Sequence, residues 1–250
     1  MKYVFSIVVI NKNNKSGLLK TLGSIYRLEE LPNTETIIVD GYSTDGSLEY
    51  AEKLISDRFI FRVQRESRPG IFNALNDGIK AATGEWIIFM NAGDCFASEE
   101  SLSGFCPPAD TDVVLGKFIN YEGLVCPLHQ RQWPWAEMPT CHQAMMFRAT
   151  VHKKRLYRSI LTLSADFEWI LWAQKKELNF VTWDKVIADG PTGGASYYRL
   201  ANRVLQYYFL SVLYYPFDRD VHHYYINKLR WAYPEQVRRQ QAGLRSDQIR

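Results

Sequence analysis

Three scarcities narrow the reading before any motif does: charge of one sign, long apolar runs and cysteine. Across 250 residues, 30 Lys+Arg stand against 27 Asp+Glu, and the net +3 is far from the profile of a dedicated nucleic-acid binder. No run reaches the roughly 18 apolar residues of a membrane span, the longest candidate being 205–215. The four cysteines, Cys95, Cys106, Cys126 and Cys141, contain no C-x-x-C pair, and Cys126, His129, Cys141 and His142 do not repeat the paired spacing of a zinc site. The opening MKYVFSIVVINKNN lacks a secretory h-region and cleavage site, so reduced thiols in the cytoplasm are expected. There is no G-x-G-x-x-G after the first β-run, no G-x-x-x-x-G-K-[ST] and no G-x-S-x-G. Dinucleotide oxidoreductases, P-loop NTPases and α/β-hydrolases therefore lose their best local evidence.

What the chain does have is apolar content, 46%, enough for a substantial core. Its charge is uneven. From Arg199 onward there are nine Lys/Arg and four Asp/Glu, a local +5, so the residues before it carry −2; nine of the fifteen Tyr lie between Tyr197 and Tyr233. The composition places a boundary near residue 197, with a 1–196 domain (parts 1–118 and 119–196) and a basic, aromatic helical extension over 197–250.

The first hundred residues alternate β-rich runs with helical periods, the pattern of βαβ units. Strands are expected at Tyr3–Ile10, Thr36–Asp40, Phe59–Gln64, Trp86–Asn91 and Asp112–Phe118. Between them come helices capped by Ser16 (Leu18, Leu22, Ile25 inward), by Thr44 or Asp45 (Leu48, Ala51, Ile55), and opened by Gly70 (Ile71, Leu75, Ile79). From Pro127 to Pro139, two Trp and three Pro predict an irregular segment over a site or a packed loop. Regularity returns at His142–Arg148, in a helix capped by Ser164, and in a strand pair at Phe180–Trp183 and Val186–Ala188. The fold class is α/β, a mostly parallel sheet flanked by helices.

In such sheets ligands sit at the carboxyl ends of the strands. Three ends are polar here: Asn11-Lys12-Asn13-Asn14, Asp40-Gly41-Tyr42-Ser43-Thr44-Asp45-Gly46-Ser47, and Asn91-Ala92-Gly93-Asp94. A carboxylate such as Asp94, after a strand and a small turn, leaves room for a diphosphate to share a cation, although an Asp in a turn or helix cap fits the same four residues.

Taken in order, these residues resemble the bacterial family-2 glycosyltransferases of GT-A fold, especially the colanic-acid and exopolysaccharide type. The resemblance runs from Phe5 to about Ser196. It rests on Ser6–Asn11 with Thr21–Ile25, Ile38–Ser47, Glu66 with Gly70–Ile79, Ala82–Ile87, Asn91–Asp94, His142-Gln143-Ala144, Ala165-Asp166-Phe167 and Gly193–Ser196. It implies a GT-A-like (Rossmann-like) mixed sheet and an inverting, metal-dependent transfer from a nucleotide-diphosphate sugar to a saccharide or lipid-linked oligosaccharide, in surface polysaccharide synthesis. Asp40, with Asn11 and Asn13, would hold the base; Glu66, Arg68, Asn73, Asn91, Ala92 and Gly93 would line the donor site. Asp94 would ligate Mg or Mn, and Asp166 would be the general base.

Several positions keep two readings. Asn91 and Gly93 replace acidic residues common in the family, leaving one carboxylate for the metal. Arg68 either meets a phosphate or is a solvated loop residue. His142 and Gln143 are on the acceptor side by resemblance, but a packed histidine with a satisfied hydrogen bond fits His142 as well. Glu168 is the fallback base, and Gly193-Gly194, also on the acceptor side by resemblance, is either a plain turn or a lid clasping the donor. The tail either lies in a membrane interface, Tyr rings at headgroup depth, or packs on the catalytic domain or a second copy. A sugar-nucleotide nucleotidyltransferase would need a Gly-rich basic loop after the first strand, which Asn11-Lys12-Asn13-Asn14 is not. A non-catalytic nucleotide-sugar-binding scaffold of an assembly complex is allowed by the thinned metal motif, and donor turnover separates it from the enzyme.

Overall fold

The computed structural model describes residues 3–54, 61–120, 122–126, 128, 133–190 and 195–247. The chain forms two compact units. The first comprises Met1–His129, Pro139–Ser159 and Leu178–Gly190; the second comprises Gln130–Met138, Ile160–Glu177 and Pro191–Arg250. The second unit thus takes in chain from both sides of residue 197, which composition alone marks as the division.

Among the described residues the first unit holds a nine-stranded sheet: β1 (Phe5–Asn11), β2 (Thr34–Asp40), β3 (Phe61–Arg65), β4 (Trp86–Asn91), β5 (Cys95–Phe96), β6 (Val113–Ile119), β7 (Val125–Cys126), β8 (Met145–Arg148) and β9 (Phe180–Asp189). The order is β3-β2-β1-β4-β8-β6-β9-β5, with β7 paired on β6. β3, β2, β1 and β4 are mutually parallel, β8 enters antiparallel to both β4 and β6, and β9 runs parallel to β6. β1 and β2 are buried almost throughout, as their runs of Val and Ile require. Helices α1 (Lys15–Tyr26), α2 (Ser47–Glu52), α3 (Ile71–Ala81) and α4 (Ala149–His152) belong to this unit. Leu18, Leu22 and Ile25 of α1 join Phe5, Ile7, Val9 and Ile38 of the sheet in one core. α3 lies so close that a Cβ on Gly78 would stand 2.2 Å from Val8 Cγ1.

Some local expectations shift. α1 is capped by Asn14 rather than Ser16: the Asn14 side chain accepts from Gly17 N at 3.1 Å, and a Cβ at Gly17 would collide with it. Gly46, in left-handed backbone, is the N-cap of α2, and Asp45 supports it from one residue back by accepting from Ser47 N at 3.1 Å. The pair expected after Asn179 is one strand, β9, which pairs with β6 on both sides of a register shift that takes up Trp183, Asp184 and Lys185. The positions 55 and 59–60 of the expected second helix and third strand lie outside the described residues.

A buried carboxylate ties the amino-end edge of this sheet. Glu35 accepts from Ser6 Oγ, Thr83 Oγ1 (2.9 Å) and Gly84 N (3.1 Å), and pairs with Arg62 at 2.6 Å. Burial alone would raise its pKa, but the Ser6 and Thr83 bonds and the Arg62 charge outweigh it, so the carboxyl titrates below the usual Glu range. A depressed carboxyl contributes stability above its unfolded pKa and loses it as pH falls through the folded value. Glu35→Ala is expected to cost about 3 kcal/mol near neutrality, since several buried donors lose their acceptor. The difference from wild type should hold down to about pH 4 and shrink as the pH falls below it in urea melts; a difference independent of pH would refute the role of the charge.

The second unit contains α5 (Ala165–Lys175), α6 (Ala195–Tyr198), α7 (Leu200–Tyr214) and α8 (Arg219–Asp247, with Pro234 inside it). Its core joins Trp135, Phe167, Leu171, Leu200, Val204, Tyr207, Val221 and Tyr225. Phe167 of α5 stacks on Tyr207 of α7 with centroids 3.9 Å apart. Ser164, expected as a side-chain cap of α5, occupies the N-cap position but sends its hydroxyl to Gln206 at 2.6 Å. The Trp133-Pro134-Trp135 stretch is a packed segment of this unit: Trp135 is fully buried, its indole N–H donating to Asp218 at 2.7 Å.

Candidate functional site

The strand order reverses direction of growth at β1, with β2 on one side and β4 on the other, so a crevice opens at their carboxyl ends. Register brings the polar residues level there: Asn11 pairs with Asp40, and Ile10 with Asn91. Two loops are then stitched to each other. Asn11 Nδ2 donates to Asp40 Oδ1 at 2.9 Å and to Ser47 Oγ at 3.0 Å. Asn13 N donates to Ser43 Oγ at 2.8 Å, Asn13 Oδ1 accepts from Thr44 N at 2.8 Å, and Asp45 Oδ2 accepts from Lys15 N at 2.8 Å. Asn13 takes a positive φ of 47°, a conformation Asn tolerates.

Asp40 is fully buried and its second oxygen is also taken, by Ser43 N at 2.8 Å and by the Arg65 guanidinium. Burial opposes ionisation, but the bonds from Ser43 and Asn11 and the Arg65 charge outweigh it and hold the pKa below the usual range. Arg65, absent from the sequence reading, is half-exposed and lies 5.5 Å from the centroid of the exposed Tyr42 ring. Asp40 thus reaches the crevice through Arg65 and Tyr42. Glu66 is buried just past β3, its N–H donating to Asp40 O at 2.9 Å. Arg68 is exposed with no ion pair to a described residue, and Asn73, in the first turn of α3, donates to Pro69 O at 2.9 Å.

The Asn91–Asp94 turn is fixed from beneath by Thr21 of α1, another residue the motif reading left without a role. Thr21 Oγ1 donates to Asp94 O at 2.6 Å and accepts from Gly93 N at 2.9 Å. Gly93 adopts φ +114°, open only to glycine at low cost, and Asn14 Nδ2 holds Ala92 O at 2.7 Å. Asp94 is 7% exposed; one oxygen, Oδ2, accepts from Asn91 N at 3.0 Å and from Gln143 Nε2 at 2.6 Å. Its pKa is raised, because desolvation exceeds the help from Gln143, Asn91 and Lys20. Gln143, expected on the acceptor side, therefore touches the carboxylate expected on the metal. Neighbouring His142 is neutral: burial depresses its pKa to about 3, its ring stacks on Phe89 at 4.7 Å, and Nε2 meets Tyr157 OH at 2.7 Å.

The donor set suits a hard cation in part. Asn91 Oδ1 is a buried acceptor without a partner among the described residues, in the same turn as Asp94, whose carboxylate accepts from the Asn91 backbone N–H. Both are oxygen ligands of the kind Mg and Mn prefer, and Mg commonly takes one or two protein oxygens with the rest from substrate phosphates. No group of three or more His, Cys, Asp or Glu is placed for a metal among the described residues, so the remaining ligands would come from the diphosphate. All four cysteines are free thiols, and His129 lies outside the described residues, as do Gly193 and Gly194.

In the second unit Asp166 occupies the first turn of α5 and keeps partial exposure at a crowded carboxyl. Burial lifts its pKa to about 6 against the Phe167 N–H bond (2.8 Å) and the Arg203 charge. Glu168 is fully buried, its carboxylate accepting from Tyr214 OH. Accessibility therefore separates the two acids that sequence leaves as alternatives for proton transfer.

Glycosyl transferase family 2 matches residues 6–179, which include the whole crevice and Asp166. The chain belongs to that family. It is 32% identical over 157 residues to a PGL/p-HBAD biosynthesis glycosyltransferase of Mycobacterium bovis, covering 58% of this chain and 59% of the relative. Among solved structures, the mannosyltransferase PcManGT from Pyrobaculum calidifontis, in complex with GDP-Man and Mn2+, superposes with a TM-score of 0.70 at 16% identity, covering 98% of this chain and 76% of that one. S. aureus TarS 1–349 with UDP-GlcNAc gives 0.66 at 18%, covering 83% and 66%. These likenesses establish the GT-A-like fold. The chain spans about three fifths of the curated mycobacterial relative, and the relatives' names do not single out the colanic-acid type.

Proposed function

We propose that this family-2 member is an inverting glycosyltransferase that moves a sugar from a nucleoside-diphosphate donor to a saccharide acceptor, with Mg or Mn. The observation that carries the reading is the buried Asp94 carboxylate at the carboxyl end of β4, held by Asn91 N and Gln143 Nε2, with the unpartnered Asn91 Oδ1 in the same turn, within the segment the family matches. The bound cation would stabilise charge on the leaving diphosphate. Asn91 and Asp94 would hold it, with Gln143 and Thr21 fixing the turn. Asn11, Asn13, Asp40 and Arg65 shape the pocket for the base; Glu66, Arg68, Asn73, Ala92 and Gly93 line the approach of the donor. Inversion needs an acceptor hydroxyl to attack opposite the leaving group and lose its proton, and Asp166, raised to about 6 by burial and so mostly ionised at neutrality, is matched to accept it. His142, Gln143, Gly193 and Gly194 would serve the acceptor side, as the family motif implies. The test is turnover of a panel of UDP-, GDP- and dTDP-sugars with and without Mn2+; donor binding without any hydrolysis or transfer would favour a scaffold.

A lipid-linked acceptor, in polysaccharide assembly of the colanic-acid or exopolysaccharide kind, would place the enzyme at the inner face of the cytoplasmic membrane. No described helix is long and apolar enough to cross a membrane. α7 buries Leu200, Val204 and Tyr207 in its own unit and leaves Leu205, Phe209 and Leu213 exposed at one-turn spacing, followed by Phe217 at 96% exposure. With the +5 of the tail, that stripe supports interfacial contact. Phe209→Ser with Leu213→Ser should weaken flotation with phosphatidylglycerol vesicles by at least about tenfold, from the lost apolar burial. Equal flotation of variant and wild type would sink the idea.

A further inference from the structure

The second unit contains an open cleft of about 420 Å³, within the range of ligand sites, that none of the roles above uses. α8 forms one wall, because Tyr224, Asn227, Lys228 and Trp231 recur at helical spacing on one side of it. Trp133 and Glu137 form the other. The Trp133 ring is braced by stacking on Trp135 at 5.3 Å and by an edge contact to Tyr224 at 6.1 Å. Trp231, by contrast, is 55% exposed on a helix whose buried face already has Val221, Tyr225 and Ala232.

The charges in the cleft discriminate among occupants. Lys228 is paired to Glu137, which also accepts from Tyr224 OH at 2.7 Å, so its ammonium is cancelled within the wall. Asp220 adds a second carboxylate. A phosphate or an anionic lipid headgroup would face the Asp220 carboxylate, a Lys228–Glu137 pair that cancels, and the His223 imidazole, which meets Asn227 Nδ2 at 3.1 Å, and an acyl chain would have to desolvate them. A sugar ring has the matching chemistry: apolar C–H faces for aromatic rings and equatorial hydroxyls for carboxylate and amide groups at the edges. We propose that this cleft is a saccharide subsite, stacking a non-reacting ring of a glycan on Trp231 and Trp133 with Asn227 and Asp220 taking its hydroxyls. Arg203 acts electrostatically on both Asp166 and Lys228, which puts the cleft and the proposed base under one charge within the unit. That the glycan is the acceptor chain rests on the transferase reading; that the cleft binds saccharide does not.

The test titrates the full chain with a panel of short cello-, chito-, manno-, galacto- and rhamno-oligosaccharides, read by tryptophan fluorescence and calorimetry, with UDP and GDP titrated in parallel. At least one oligosaccharide should bind, and Trp231→Ala and Asn227→Ala should each weaken it by about tenfold or more while nucleotide affinity stays unchanged. Trp231→Phe should retain most of the affinity, which separates stacking from loss of fold. The proposal is overturned if no member of the panel binds at about 10 mM, or if Trp231→Ala binds like wild type. It is also overturned if that variant loses only phosphatidylglycerol vesicle binding. Nucleotide binding without oligosaccharide binding would defeat the cleft alone. Oligosaccharide binding lost in Trp231→Ala, with no nucleotide bound, would defeat the transferase reading and leave the cleft standing.

Discussion

Asp166→Asn is expected to lower sugar transfer by about 10²–10⁴-fold, the usual cost of removing a positioned base, with donor affinity unchanged. The substitution is structurally mild. The Asp166 side chain accepts from Phe167 N–H, in its own helical turn, and an amide oxygen can accept that proton equally well. What disappears is the ability to take a proton. Because burial raises this carboxyl to about 6, wild-type kcat/KM should fall about tenfold per unit below about pH 6, where the base is protonated. The residual rate of the variant should lack that limb. A variant within tenfold of wild type, or one that keeps the acid limb, would remove Asp166 from the role; a larger loss in Glu168→Gln would transfer it there.

Asp94→Asn should be nearly as damaging, by about 10³-fold in Mn2+-supported turnover, since charge stabilisation by a bound cation is worth several kcal/mol. The isosteric change leaves an oxygen to accept from Asn91 N and Gln143 Nε2, so the turn that Thr21 grips should persist. The loss should appear as weaker Mn2+-dependent binding of the nucleotide sugar in calorimetry. Unchanged metal-dependent affinity would relocate the cation. Gln143→Ala is predicted to show a smaller change of the same kind, because it orients the carboxylate rather than ligating.

The central strands were legible because runs such as FSIVVI and TIIVD have few alternatives to burial in a parallel sheet. The polar strand ends were legible for the same reason, since a buried strand that stops in Asn or Asp announces an edge. The two-residue strands β5 and β7 were not, because their pairing exists only through β9 and β6. Nor could local pattern show that Trp133-Pro134-Trp135 packs with α7 and α8, about 70 to 90 residues away; such contacts depend on which distant face is left uncovered. Arg65 and Thr21 illustrate a subtler loss. Each is an ordinary residue in an ordinary position, and only the parallel pairing of β2 with β3, or the bonds from α1 to the Asn91–Asp94 turn, set it against a functional group. Gln143 was found by its motif, but its bond to Asp94 was not legible, for it follows from the antiparallel entry of β8.

The interleaved make-up of the second unit has a consequence for synthesis. α5, with Asp166 in its first turn, leaves the ribosome well before α7, yet Phe167 stacks on Tyr207 and Ser164 is bonded to Gln206. A nascent chain that has already laid down the parallel strands would carry a complete crevice edge and an acid that nothing yet holds in place. Transfer competence would then arrive late and all at once, when α7 docks, so an incomplete polypeptide could bind nucleotide sugar without consuming it.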